Sequence, residues 1–82
     1  VMIDTENIKL DINKRTVVYD DGDWTCNYIV TAEYEDSSVI VKGLKKDNTI
    51  LSAIDKLYEK VKLLNIYKAI PKENIKERET VE

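Results

Sequence analysis

Histidine and phenylalanine are absent from this 82-residue chain, and cysteine, methionine, tryptophan and proline occur once each. The missing histidine removes the commonest general base and the commonest metal ligand together. With Cys26 alone, no internal disulfide forms and no zinc site can be built from cysteines, which fits a reducing compartment. The two glycines, Gly22 and Gly43, stand far apart, so a glycine-rich loop that cradles phosphate is excluded. No charged-then-apolar signal opens the chain, and no apolar run approaches the roughly 20 residues that span a bilayer. The expectation is a cytoplasmic protein without membrane contact.

What is present suits a globular chain: hydrophobic residues make up 43% and charged residues 35%. A chain this short buries only about 60–65% of the surface its unfolded form exposes, so one modest core is expected. The aromatic side chains are five tyrosines and Trp24, whose polar tips need partners or solvent.

Alternation is clearest from Trp24 to Tyr34. Trp24, Cys26, Tyr28, Val30, Ala32 and Tyr34 share one parity, and Thr25, Asn27, Ile29, Thr31 and Glu33 the other, as in a strand with one buried face. Asp21-Gly22 is a two-residue hairpin signal that sets Tyr19 opposite Trp24 and Val17 opposite Cys26. A turn at Asn13-Lys14 adds Ile8, Leu10 and Ile12 to the same face. A turn at Asp36-Ser37 sets Tyr34 opposite Val39 and Ala32 opposite Val41. A one-residue slip would turn a strand's apolar set outward, so the agreement predicts a four-strand meander.

After Gly43 the period changes. Asp47 or Asn48 can cap a helix with Ile50, Ile54, Leu57, Val61 and Leu64 on its stripe, widened by Leu51, Ala53 and Tyr58. It extends to about Ala69 before Pro71, roughly 33 Å. Residues 72–82 are almost wholly polar and read as a charged C-terminal tail. The expected fold is α+β, β-β-β-β-α: a four-stranded antiparallel meander followed by one long C-terminal helix packed on one face, in a single domain over residues 1–71.

The candidate chemistry is thin. Asp20-Asp21-Gly22-Asp23 lacks the spacing and terminal glutamate of a calcium loop and reads as an exposed turn. Cys26 has no base to activate it, and its parity makes it a buried, inert thiol. Trp24 and the tyrosines read as core beneath the helix. No catalytic set, cofactor or metal site is expected, and the protein is read as a non-enzyme. From Arg15 to about Leu64 the strand, strand, strand, helix order resembles small antitoxin and double-stranded-RNA-binding domains in architecture, without a motif that carries function over.

Charge is segregated along the chain. Residues 1–38 hold nine acids against Lys9, Lys14 and Arg15, and residues 39–82 hold seven acids against ten bases. The leading expectation is a small interaction protein, of the kind phages and mobile elements encode, that regulates or inhibits a larger partner. Asp20, Asp21, Asp23, Glu33, Glu35 and Asp36 would imitate nucleic-acid phosphates on a basic cleft, for instance that of a nucleic-acid-handling protein. Ile29 would add an apolar contact from the second sheet face, where Val18 and Ile40 also stand among Thr16, Thr25, Asn27, Thr31, Glu33 and Lys42. Two alternatives stand beside it. One is an antitoxin-like nucleic-acid binder using Lys45, Lys46, Lys56, Lys60, Lys62 and Lys68 around the helix. The other is a self-associating subunit, a homodimer through a strand edge or the exposed sheet face.

Overall fold

Apolar residues at every second position from Ile8 to Ile12 and from Tyr28 to Tyr34 build two long central strands. The computed structural model describes residues 4–57 and 63–82. In chain order the elements are β1 (Ile8–Val18), β2 (Trp24–Tyr34), β3 (Ser37–Gly43), α1 (Lys46–Leu57), α2 (Leu63–Ala69) and β4 (Ile75–Val81). The sheet order is β3-β2-β1-β4, with β2 antiparallel to both neighbours and β4 parallel to β1. This is a mixed sheet with one parallel pair and two short helices, which overturns the antiparallel meander followed by one long C-terminal helix.

Three corrections follow from the register. Asn13-Lys14 is not a turn, because β1 runs unbroken through it. In the β1–β2 pair, Ile12 faces Val30, Leu10 faces Ala32, Ile8 faces Tyr34 and Val18 faces Trp24. That pairing lies one residue away from the one a two-residue Asp21-Gly22 turn demands, and in the demanded register a continuous β1 would turn Ile12 outward. Burying Ile8, Leu10 and Ile12 outweighs the local turn preference. The chain instead closes through Tyr19–Asp23. Gly22 N–H bonds to the Tyr19 carbonyl, Tyr19 N–H bonds to the Asp23 carbonyl, and Gly22 takes the left-handed φ of 88°. Val18 therefore joins the Trp24 face, and Val17 leaves it.

The β2–β3 turn is Glu35–Asp36, with Tyr34 facing Ser37, Ala32 facing Val39 and Val30 facing Val41. The register differs by two residues from the expected one, and because side chains alternate with period two, Val39 and Val41 keep the core face.

The core is Ile8, Leu10, Ile12, Val30, Ala32, Ile50, Ala53, Ile54, Ile66 and Ile70. Helix α1 lies over β2 and β3 and presents Ile50, Ala53 and Ile54. Leu57, the next residue of the expected stripe, is half-buried and packs against this core. Leu64 is exposed, and among the described residues beyond α1 the buried ones are Ile66 and Ile70. Val61 and Tyr58 lie outside the described residues.

The expected charged tail is β4. Two 3-10 turns, Thr5–Asn7 and Lys72–Asn74, lie at the starts of β1 and β4, and the Asn74 side chain donates to the Glu6 carbonyl at 2.7 Å. From there β4 runs beside β1, with Leu10 aligned to Ile75 and Thr16 to Val81.

The molecule is elongated. Its extents are 51 × 23 × 21 Å and its radius of gyration is 13.9 Å, against about 12 Å for a compact domain of this length. The far halves of β1, β2 and β4 reach beyond the helices as a three-stranded arm.

Candidate protein-binding arm

The edge of helix coverage is marked by Lys46, the first residue of α1, whose Nζ reaches Glu77 Oε1 on β4 at 2.7 Å. Glu77 aligns with Ile12, the last fully buried residue of β1. Past that line the face that carries the core continues as Lys14, Thr16 and Val18 on β1, Trp24 and Cys26 on β2, and Glu79 and Val81 on β4. Nothing among the described residues covers it. Trp24 is 66% exposed, Val18 51% and Val81 68%.

Val18 and Trp24 are direct cross-strand partners. Val81 is held beside them because the Val18 N–H bonds to the Glu82 carbonyl and the Glu82 N–H to the Thr16 carbonyl, at 2.9 and 2.8 Å. Val81 is aligned with Thr16 and stands diagonally from Val18, so the three exposed apolar side chains lie on the same face of the arm. This corrects the reading of Trp24 as core: the parity was right, but the helix ends short of it. Cys26 lies on the same face, opposite Thr16, and is half-buried rather than buried.

Ion pairs line the β1–β4 ladder of the arm. Lys14 Nζ meets Glu79 Oε1 at 3.2 Å, Arg15 meets Glu82 at 2.6 Å, and Arg78 meets Asp11 at 3.2 Å. With Lys46–Glu77, every ion pair found among the described residues has one member in the C-terminal segment 75–82. The hydrogen bonds that Lys14 and Lys46 donate to the Glu79 and Glu77 carboxylates raise the lysine pKa values, and the bond that Arg15 donates to Glu82 raises that of Arg15. Only Asp11–Arg78 joins an acid of the acidic half to a base of the basic half; Lys14–Glu79 and Arg15–Glu82 pair in the opposite sense, and Lys46–Glu77 lies within the second half, so the ion pairs do not cancel the charge segregation of the sequence.

The sequence-predicted site residues divide into three places. Asp20, Asp21 and Asp23 are exposed in the loop at the arm's tip, where Asp21 Oδ1 accepts the Asp23 N–H. Ile29 is half-buried midway along β2 on the second sheet face, between Asn13 and Lys42. Glu33, Glu35 and Asp36 are exposed at the other end of β2. Asp23 and Glu33 are ten residues apart on an extended strand, about 33 Å, so the acids do not converge on one surface. On the second face, Ile40 and Lys42 are exposed as expected, whereas Val18 and Thr16 belong to the other side. An open groove there is lined by Lys9, Asp11, Thr31, Glu33, Glu73 and Lys76, with charges of both signs.

No family model, curated protein or solved structure matches this chain. Among the described residues, no three of the residue types His, Cys, Asp and Glu gather in a metal-holding group, and no helix is long and apolar enough to cross a membrane. Sequence reasoning missed Val81 altogether and misplaced Val18 and Trp24. Without the β1–β4 pairing, nothing in the polar run 72–82 aligns Val81 with Thr16.

Proposed function

We propose that this chain is a non-catalytic binding protein that regulates a larger partner through the arm, with Val18, Trp24 and Val81 as the apolar contact and Asp20, Asp21 and Asp23 as an acidic rim. The observation that carries this reading is the exposure of Trp24 on the uncovered end of the core face. Tryptophan is enriched among the residues that dominate interface energies, because it fills a pocket with large, rigid area. Apolar residues exposed singly need no explanation, whereas three adjoining ones on one sheet face mark a docking surface. The tip acids select a partner whose pocket is bordered by lysine or arginine and speed its approach at low salt. A basic cleft that ordinarily holds nucleic acid has this character, and the tip acids would stand where phosphates do. Glu33, Glu35 and Asp36 lie too far away to share that contact.

The test is capture of a protein from nuclease-treated host lysate by the intact chain and by Trp24→Ala, at low and high salt. One protein retained by the intact chain at low salt, lost with Trp24→Ala and weakened by reversing Asp20, Asp21 and Asp23 to lysine, supports the reading. Capture that survives Trp24→Ala sinks it. Recovery of nucleic acid from untreated lysate points instead to the lysines around α1.

A further inference from the structure

The outer edge of β2 is only partly covered. β3 pairs with β2 from Tyr28 to Tyr34, leaving Trp24, Thr25, Cys26 and Asn27 without a neighbour on that side. The direction of their backbone groups follows from the hairpin. The Tyr19 N–H bonds to the Asp23 carbonyl, so 19–23 is a hydrogen-bonded pair, and such pairs recur at every second position, through 17–25 and 15–27. Thr25 and Asn27 therefore point their N–H and C=O groups at β1. Trp24 and Cys26 point theirs outward.

Natural edges carry charge, proline or a bulge to prevent strand addition. This one has none of the three, and tryptophan and threonine both favour strands.

We infer that this edge pairs with the same edge of a second copy of the chain, antiparallel about a two-fold axis through Thr25. The two-fold relation makes the contact closed and self-complementary. Trp24 of each copy stands opposite Cys26 of the other, and their outward groups exchange hydrogen bonds on both sides of the axis. A register centred on Cys26 is blocked, because it sets Trp24 against Tyr28, whose outer side already belongs to Gly43.

Charge favours the same register. Asp23 of one copy comes beside Asn27 of the second, so the loop with Asp20 and Asp21 lies against Leu44 and Lys45 of the second copy, where its β3 lifts away toward α1. Lys45 is exposed and makes no ion pair among the described residues, and Leu44 is 81% exposed. Acid meets base twice, once on each side of the axis. Edge pairing joins the two arms into one sheet and leaves the Val18–Trp24–Val81 face open, so the inference does not depend on the partner proposed above.

The register makes a sharp test possible. The two copies of Thr25 form a non-hydrogen-bonded pair, in which Cα atoms are about 4.5 Å apart, within the range a disulfide spans. In a Cys26→Ser background, Thr25→Cys is expected to give a disulfide-linked dimer on mild oxidation, at least tenfold faster than Thr31→Cys. Thr31 lies on the same face but is enclosed between Asp11 and Ile40. Sedimentation of the unmodified chain should show a mass that rises toward twice the monomer with concentration and falls with added salt. Thr25→Lys should hold it monomeric by setting like charges opposite each other. A monomeric mass at every concentration, or cross-linking of Thr25→Cys no faster than Thr31→Cys, overturns the inference. Thr25 faces away from Trp24, so capture of a larger protein by Thr25→Lys reports on the arm's face alone.

Discussion

Lys46 and Glu77, 31 positions apart, are joined by a 2.7 Å contact that ties the first turn of α1 to the middle of β4. It is the one ion pair among the described residues between the helical layer and the sheet, and it stands where the covered core gives way to the open arm.

Its removal by Glu77→Gln is expected to cost about 0.2–1 kcal/mol, the usual range for a largely exposed pair, and to speed amide exchange in β4 more than in β3. The pH dependence follows from the raised pKa values of Lys46 and Lys14. Their contribution is full below the ordinary lysine value of 10.5 and is lost as pH rises through the elevated folded values. Urea midpoints should therefore fall above about pH 10.5, and Glu77→Gln with Glu79→Gln should flatten that fall. Equal alkaline losses in both proteins would refute the assignment.

Ile66 and Leu64 separate the observed helix packing from the single-helix stripe. Ile66→Ala removes a buried side chain and should cost about 2–5 kcal/mol, whereas Leu64→Ala, at an exposed position, should change stability by no more than about 0.5 kcal/mol. Chemical denaturation of the two variants decides it, and a reversed order would restore the continuous helix.

Gly43 and Thr49 are coupled by close approach. A Cβ on Gly43 would strike the Thr49 hydroxyl, which is itself buried and donates to the Lys45 carbonyl at 2.6 Å. Gly43→Ala should destabilise by about 1–3 kcal/mol. In the double variant with Thr49→Ala the clash is gone, so the two losses should not add. Simple additivity in a double-mutant cycle would show the contact to be without consequence.

Glu35 holds φ at 51°, a left-handed conformation that L residues other than Asn and Asp adopt at a cost. Glu35→Gly should leave the β2–β3 register intact and raise stability by up to about 1 kcal/mol. A lowered thermal midpoint would mean that the Glu35 side chain contributes more than its backbone strain removes.

Much of the central structure is legible in the amino-acid sequence because side-chain periodicity is a local property. The alternation in β2, the apolar set Ile8, Leu10 and Ile12, and the helical stripe at Ile50, Ala53 and Ile54 follow from spacing alone, and all of them but the uncovered end of β2 contribute to one buried face. The candidate site was legible only in part: the tip acids Asp20, Asp21 and Asp23 are exposed in a loop near the Asp21-Gly22 signal, but the loop is longer than the two-residue turn that signal favours. Register escaped for a physical reason. It is chosen by which apolar pairs the whole β1–β2 ladder buries, a sum over both strands that no single turn reports. β4 escaped for another. It is a polar edge strand whose partner β1 lies more than 60 positions away, so its own composition carries no hydrophobic period. The exposure of Trp24 depends on where α1 begins to cover the sheet. Sequence alone thus determined which side chains share a face. Only the tertiary structure decided how far the helices cover that face, and so which part of it remains open to a partner.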